Sequence, residues 1–217
     1  MRKHFDEQLE EMNRELTAMG ELCRRAIALS CEALTSGDKV LAERVVGMDP
    51  DIDQKERLIE SMCLKILLQQ QPVARDLRQI SAALKMITDL ERIGDQAADI
   101  AEIITFMGDD LPESLTHIPQ ITHAVIKMVN DSVEAYVERD LKLAQEVIDY
   151  DDVVDNYFRE VKEDLIELIA AKPEDGEEAL DLLMIAKYFE RIGDHATNVA
   201  EWAVFSVTGE HPTAHMD

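Results

Sequence analysis

Glu91-Arg92-Ile93-Gly94-Asp95-Gln96-Ala97 returns 99 residues later as Glu190-Arg191-Ile192-Gly193-Asp194-His195-Ala196, and Ala101-Glu102 returns as Ala200-Glu201 at the same offset. Upstream of each copy, Ser30, Glu32-Ala33, Asp38, Leu41-Ala42, Asp49 and Asp53 recur as Ser132, Glu134-Ala135, Asp140, Leu143-Ala144, Asp151 and Asp155, now offset by 102. The change of offset means that three residues are missing from the second copy, at the turn Lys172-Pro173-Glu174-Asp175-Gly176. The chain is therefore a tandem duplication. Two copies are too few for a solenoid, in which several units must stack to bury a continuous core.

Each copy reads as three main helices. Phe5, Leu9, Met12, Leu16, Met19, Cys23, Ala26 and Ala33 follow steps of three and four with one gap, the stripe of a long amphipathic helix. Gly37 stops it, and Asp38 can cap a short helix reaching about Val46. Asp49-Pro50 reads as a cap followed by proline in the first turn of a helix to about Gln70. Gln71-Pro72 interrupts the chain before a third long helix from about Val73 to Phe106. Gly108 to Pro119 has no helical period and reads as a connection.

One such helix cannot bury its stripe alone, whereas three packed antiparallel can. The expected fold is all-α, two tandem duplicated three-helix bundles: residues 1–107 and 119–208, with a linker at 108–118 and a flexible tail at 209–217.

The repeated unit concentrates carboxylates. At about 100° per residue, with Glu91 at zero, Asp95 lies near 40°, Asp99 near 80° and Glu102 near 20°. Leu90, Gly94, Ala97, Ala98 and Ala101 occupy the adjoining arc, so the acids flank the packed face instead of lying opposite it. Glu190, Asp194 and Glu201 repeat this in the second copy, with Asn198 in place of Asp99. The preceding helices offer Asp49 and Asp53 in one half and Asp151 and Asp155 in the other.

Like charges a turn apart oppose helix formation by a few tenths of a kcal/mol, and more beside a packed face. Arg92 and Arg191 are placed to pair with Asp95 and Asp194, and hard metal cations suit clustered carboxylate oxygens still better. A run of acids on a helix is ordinarily a solvated face, and Asp49 taken alone is a helix cap. Recurrence of the whole motif with its facing aspartates lifts the cluster above that reading. Gly94 and Gly193, each costing about 1 kcal/mol inside a helix, fit close helix–helix approach.

The rest of the composition narrows the function. With 46% apolar residues the chain folds, while 5% aromatics, 8 Gly and 6 Pro argue against a sandwich or barrel. A formal charge of −24 disfavours nucleic acid and anionic lipid. Cys23, Cys31 and Cys63 form no CxxC pair and read as small apolar side chains. No signal peptide or membrane span is visible, so the expected location is the cytosol.

No phosphate loop, nucleophile elbow or Glu-x-x-His pair appears, so no enzyme is expected. His195 points about 100° from Asp194 on the wheel, toward the surface or a core edge instead of a ligand position. Arg75 and Arg78, one turn apart at the start of the third helix, are placed to grip a phosphate or acidic partner, or to form salt bridges inside the bundle.

Asp89-Leu90-Glu91-Arg92-Ile93-Gly94-Asp95-Gln96-Ala97 and Phe189 to Ala196 with Asn198 resemble the duplicated signature of the PhoU family of phosphate-specific transport accessory proteins. Gln71-Pro72-Val73-Ala74-Arg75-Asp76-Leu77-Arg78 resembles the family's entry to its third helix, and the similarity spans residues 5–208.

The resemblance implies a homodimeric, cytosolic, non-enzymatic negative regulator of phosphate uptake and of the phosphate-starvation two-component response. It implies an adaptor between the phosphate ABC transporter's ATPase subunit and a sensor histidine kinase, held at the inner membrane face by those partners. It also implies divalent or trivalent metal (Fe, Zn, Mn, Ni or Mg) on Asp49, Asp53, Glu91, Asp95 and Asp99, and on Asp151, Asp155, Glu190, Asp194 and Asn198. Two alternatives remain open: a carboxylate-bridged di-metal enzyme, and a metal-free helical scaffold.

Overall fold

The computed structural model describes residues 2–70, 72, 74–108 and 117–210. Among them the chain is helical throughout, with no strand. The first half holds α1 (Arg2–Ser36), α2 (Lys39–Val46), α3 (Asp49–Gln70) and α4 (Ala74–Phe106). The second half holds α5 (Ile118–Glu138), α6 (Leu141–Ala171) and α7 (Gly176–Thr208), with a single 3-10 turn, Pro173–Asp175, ahead of α7. The expected linker and tail fall mostly outside the described residues; within them α5 has already begun at Ile118, and Gly209 closes α7 with φ of +82°.

Local chemistry sets these boundaries. Asp38 accepts from the Leu41 N–H at 2.9 Å, and its counterpart Asp140 accepts from Lys142 and Leu143, so both expected caps form. Gly37 leaves α1 at φ +66°, a left-handed conformation that glycine adopts without steric cost, but at the matching position after α5 the chain uses Arg139 at φ +59°. The halves differ most after the short helix. Pro50 has no N–H for the carbonyl of Val46, and the chain is cut into α2 and α3 by a tight turn in which the Asp51 N–H bonds to Met48. Asp152 stands at that place in the second copy, and α6 runs straight through. Asp49 was expected to cap α3; it belongs instead to the first turn of that helix.

The α1 stripe is buried as its spacing predicts: Met12, Leu16, Met19 and Cys23 have no exposed surface. Burying each large apolar side chain contributes about 1.5–3 kcal/mol. The core does not stop at the boundary between halves. α4 lies along α7, and α1 lies along α5, so a single apolar cluster runs through both bundles. α3 packs on α1 and α4, and α6 on α5 and α7. The duplicated units thus meet through their third helices, which carry the acidic motifs. Among the described residues no helix is long and apolar enough to cross a membrane.

Cys23 and Cys63 are buried and Cys31 is half-buried; burial pushes the Cys23 and Cys63 thiols up to about 12, leaving them protonated and inert.

Candidate functional site

The glycine of each motif determines how closely its helix meets its neighbour. A Cβ on Gly94 would lie 2.8 Å from Ile52 Cδ1, and one on Gly193 would lie 3.1 Å from Val154 Cγ1. Ile52 and Val154 are equivalent positions, so the same close approach occurs in both halves. It brings α3 against α4, and α6 against α7, with the aspartates beside those apolar residues facing the motif carboxylates.

In the first half, Asp49, Asp53, Glu91, Asp95 and Asp99 come together. Burial first, and then the charges of Asp95, Asp53 and Asp99, raise the Asp49 carboxyl above its ordinary range. Glu91 is raised by burial and by Asp95, Glu56 and Asp53, with Arg92 opposing. Asp99 is raised by burial, Asp95 and Glu102, against the pull of Arg191 and a hydrogen bond from the Tyr188 hydroxyl. Glu56 is a member that the sequence reading missed; it is raised by burial and by Glu60 and Asp53. It sits three residues past Asp53 on α3, and that spacing was available in the sequence.

Arg92 partly compensates the first cluster. Its Nη1 lies 2.9 Å from Asp95 Oδ2 and its Nε 3.5 Å from Glu91 Oε2. Two carboxylate oxygens, Asp49 Oδ1 and Glu91 Oε2, are nonetheless buried without a hydrogen-bond donor. A buried carboxylate oxygen without a hydrogen-bond donor is costly even with a guanidinium nearby, and a closer cation is one way to satisfy it.

The second cluster joins Asp151, Asp155, Glu190 and Asp194. Burial, then Glu190 and Asp151, push the Asp194 carboxyl up to about 6, and Lys187 opposes them. Asp151 is raised by burial and Asp155, while the Thr197 hydroxyl, 3.3 Å from its Oδ1, acts in the other direction. Lys187 Nζ is bonded to Glu190 Oε2 and lies 5.4 Å from the Phe158 ring centroid.

One expectation is corrected here. Arg191 does not serve Asp194; its charge acts on Asp99 and Tyr188 at the α4–α7 contact, and Lys187 replaces it at the cluster. Asn198 directs its Nδ2 to Asp89 Oδ1 at 3.1 Å, across to α4. His195 Nδ1 lies 2.9 Å from the same Asp89 oxygen, so this histidine ties the two halves together. The Asp99-to-Asn198 difference thus belongs to the seam between halves, where Tyr188 reaches Asp99 and Asn198 reaches Asp89.

The donor chemistry suits a hard cation, since carboxylate oxygens predominate and two of them have no hydrogen-bond donor. Among the described residues, however, no three His, Cys, Asp or Glu side chains already form a group that could hold a metal ion. Closing on an ion would require these side chains to turn.

The PhoU domain family matches the chain twice, at residues 16–104 and 118–203. A phosphate-specific transport system accessory protein PhoU homolog from Clostridium acetobutylicum is 37% identical over 211 residues, 96% of each chain. The Pseudomonas aeruginosa homolog is 34% identical over 209 residues, 95% of this chain and 86% of its own. The crystal structure of PhoU from Pseudomonas aeruginosa superimposes with a TM-score of 0.89 at 34% identity, covering 95% of this chain and all of that one. That of the phosphate transport system regulatory protein PhoU from Streptococcus pneumoniae gives 0.87 at 27% identity, covering 96% and 99%. With both acidic motifs inside the matched segments, and the similarity running nearly end to end, the chain belongs to the PhoU family.

Proposed function

We propose that this chain is a cytosolic negative regulator of phosphate uptake and of the phosphate-starvation response, acting by contact and not by catalysis. The observation that carries the reading is the double family match, joined to relatives named as phosphate transport accessory and regulatory proteins. The adaptor role follows from it: the chain, as a homodimer, connects the ATPase subunit of the phosphate ABC transporter with a sensor histidine kinase. The fold supports such a role, because a rigid pair of bundles on one continuous core presents long helical faces to partners. Deleting the gene is expected to derepress phosphate-starvation genes in phosphate-rich medium. Unchanged expression would refute the regulatory reading.

Metal ions are the proposed companions of the acidic faces. Asp49, Asp53, Glu56, Glu91, Asp95 and Asp99 would hold a cation between α3 and α4; Asp151, Asp155, Glu190 and Asp194 are the corresponding set between α6 and α7. A bound cation would add to the charge neutralisation that Arg92 and Lys187 supply only in part. The measurement is metal content of the purified protein against a Glu91→Ala/Asp95→Ala/Glu190→Ala/Asp194→Ala variant. Equal content in both rejects the site, and leaves the metal-free scaffold.

A further inference from the structure

Outside the acidic faces the molecule gathers positive charge at one corner. Arg75 and Arg78 lie in the first turns of α4, and Arg139 is the left-handed cap that ends α5. The corner is built firmly. The buried Tyr136 donates its hydroxyl to the Gln79 carbonyl at 2.8 Å, tying the end of α5 to the start of α4. The Arg139 N–H bonds back to Ala135 and Tyr136, so its guanidinium leaves from a fixed turn. Gly209, where α7 ends, presses on Arg78: a Cβ there would lie 3.2 Å from Arg78 Cδ and Nη1.

Among the described residues these arginines are poorly compensated. Arg78 Nε is buried without an acceptor, and none of the three forms an ion pair among the described residues. Burial, then Arg75, lower the Arg139 guanidinium from its ordinary value, with Arg78 adding to them; Asp76 opposes. The arrangement is not inherited from the duplicated unit. By the internal offsets, Arg75, Arg78 and Arg139 correspond to Glu174, Glu177 and Gly37, none of them positive. In a chain of net charge −24, the two halves together place three cations at this corner, at positions whose duplicates carry glutamates or glycine.

We propose that Arg75, Arg78 and Arg139 form a binding site for a phosphate-class oxyanion, either free or carried on a phosphorylated group. Three forked guanidinium groups suit a tetrahedral dianion, which can accept on several oxygens at once and offset more of the repulsion than one carboxylate would. The start of α4 adds the positive end of its helix dipole. Arg78 Nε is the donor that most needs such a ligand.

The test uses the full chain with chelator present, so that phosphate held through a metal on the acidic faces does not contribute. Inorganic phosphate is titrated at constant ionic strength, followed by calorimetry and by the arginine Nε–Hε NMR signals. The expected result is saturable one-to-one binding that shifts the Arg78 signal, weakened at least tenfold in Arg78→Gln and in Arg139→Gly. The second variant keeps a residue suited to the left-handed turn, so its loss of binding would not come from unfolding. A phosphoserine peptide run in parallel identifies the source: tighter binding than inorganic phosphate assigns a phosphorylated group, and weaker binding assigns the free anion. Absence of saturation with both ligands overturns the site, as does undiminished affinity in Arg139→Gly, or equal binding of an unphosphorylated glutamate-rich peptide.

Discussion

The α3–α4 and α6–α7 clusters descend from one unit, yet each makes its crowded carboxylates tolerable in a different way. In the first, Glu56 adds a further negative charge, Arg92 answers from the outer side, and two buried oxygens are left without donors. In the second, Phe158 occupies the place of Glu56, and Lys187 occupies the place of Thr88, with its ammonium on Glu190 and against the Phe158 ring. Thr197, at the position of Ala98, meets Asp151. Asp49, Asp53, Glu91 and Asp95 have acidic counterparts in the second copy, and what balances them differs. The first face has an arginine on its outer side and two buried oxygens without hydrogen-bond donors, while the second has a lysine seated on Glu190.

The largest expected effect follows from that contrast. Glu91→Gln/Asp95→Asn should remove most of the metal bound by the purified protein, and Glu190→Gln/Asp194→Asn should remove clearly less, measured as metal per chain by elemental analysis. Lys187→Ala should raise occupancy of the second face. Equal losses from the two double variants, with no gain from Lys187→Ala, would erase the distinction between the faces.

Packing offers a second contrast, at the two motif glycines. Alanine at 94 meets Ile52 Cδ1 at a distance real Cβ atoms do not adopt, whereas alanine at 193 meets Val154 Cγ1 at a merely tight 3.1 Å. Overpacking costs about 1–3 kcal/mol, and glycine to alanine in a helix returns about 1. Gly94→Ala should therefore destabilise by about 2 kcal/mol in urea unfolding, and Gly193→Ala by less than about 1. Ile52→Val gives the first half the residue found in the second, so Gly94→Ala/Ile52→Val should lose less than the sum of its parts. Strict additivity would mean that the Ile52 methyl is not what the new Cβ meets.

The sequence disclosed the fold because its signals were local and said twice. Stripes such as that of α1, caps at Asp38 and Asp140, and breaks at Pro50 and Pro72 each rest on backbone chemistry within a few residues. The facing of Asp53 and Glu91 was legible too, since two helical stripes and an antiparallel turn suffice to predict it. What lies between elements was not legible. Lys187 precedes Glu190 by three residues, a pairing distance visible in the sequence, but only packing shows that Arg191 is drawn away to Asp99 and leaves the lysine as the compensating charge. Likewise His195 and Asn198 find Asp89 more than a hundred residues away, on a helix of the other half. The unbroken core across the two halves was hidden for the same reason, as a repeat describes a unit and says nothing of how the copies meet.

The turns that follow α1 and α5 give a smaller contrast. Gly37 adopts its left-handed conformation freely, while a side chain costs about 1–2 kcal/mol there. Arg139→Gly should stabilise the second turn by about 1 kcal/mol, and Gly37→Ala should destabilise the first by a similar amount. Both are read as shifts of the unfolding midpoint. A loss of stability in Arg139→Gly, without phosphate present, would mean that the arginine's packing outweighs its backbone strain.

The smallest effect is one of pH, and its sign distinguishes crowded carboxylates from paired ones. Asp194 titrates near 6 in the folded chain and near its ordinary 3.8 when unfolded. Between those values the folded state holds a proton that the unfolded state has released, so stability falls as pH rises through this window. An acid held by a salt bridge would give the opposite slope. Asp194 is an exposed residue, and screening by solvent limits its contribution to about 1 kcal/mol or less. Unfolding in chelator at pH 4.5 and 7.5 should show the wild-type chain losing stability toward the higher pH, with Asp194→Asn losing less. Added metal should reduce the loss further, because a cation competes with the proton for the same oxygens and is favoured as pH rises. If Asp194→Asn left the slope unchanged, this carboxylate would be no more crowded than an ordinary surface acid, and the second face would owe its tolerance to water instead of Lys187.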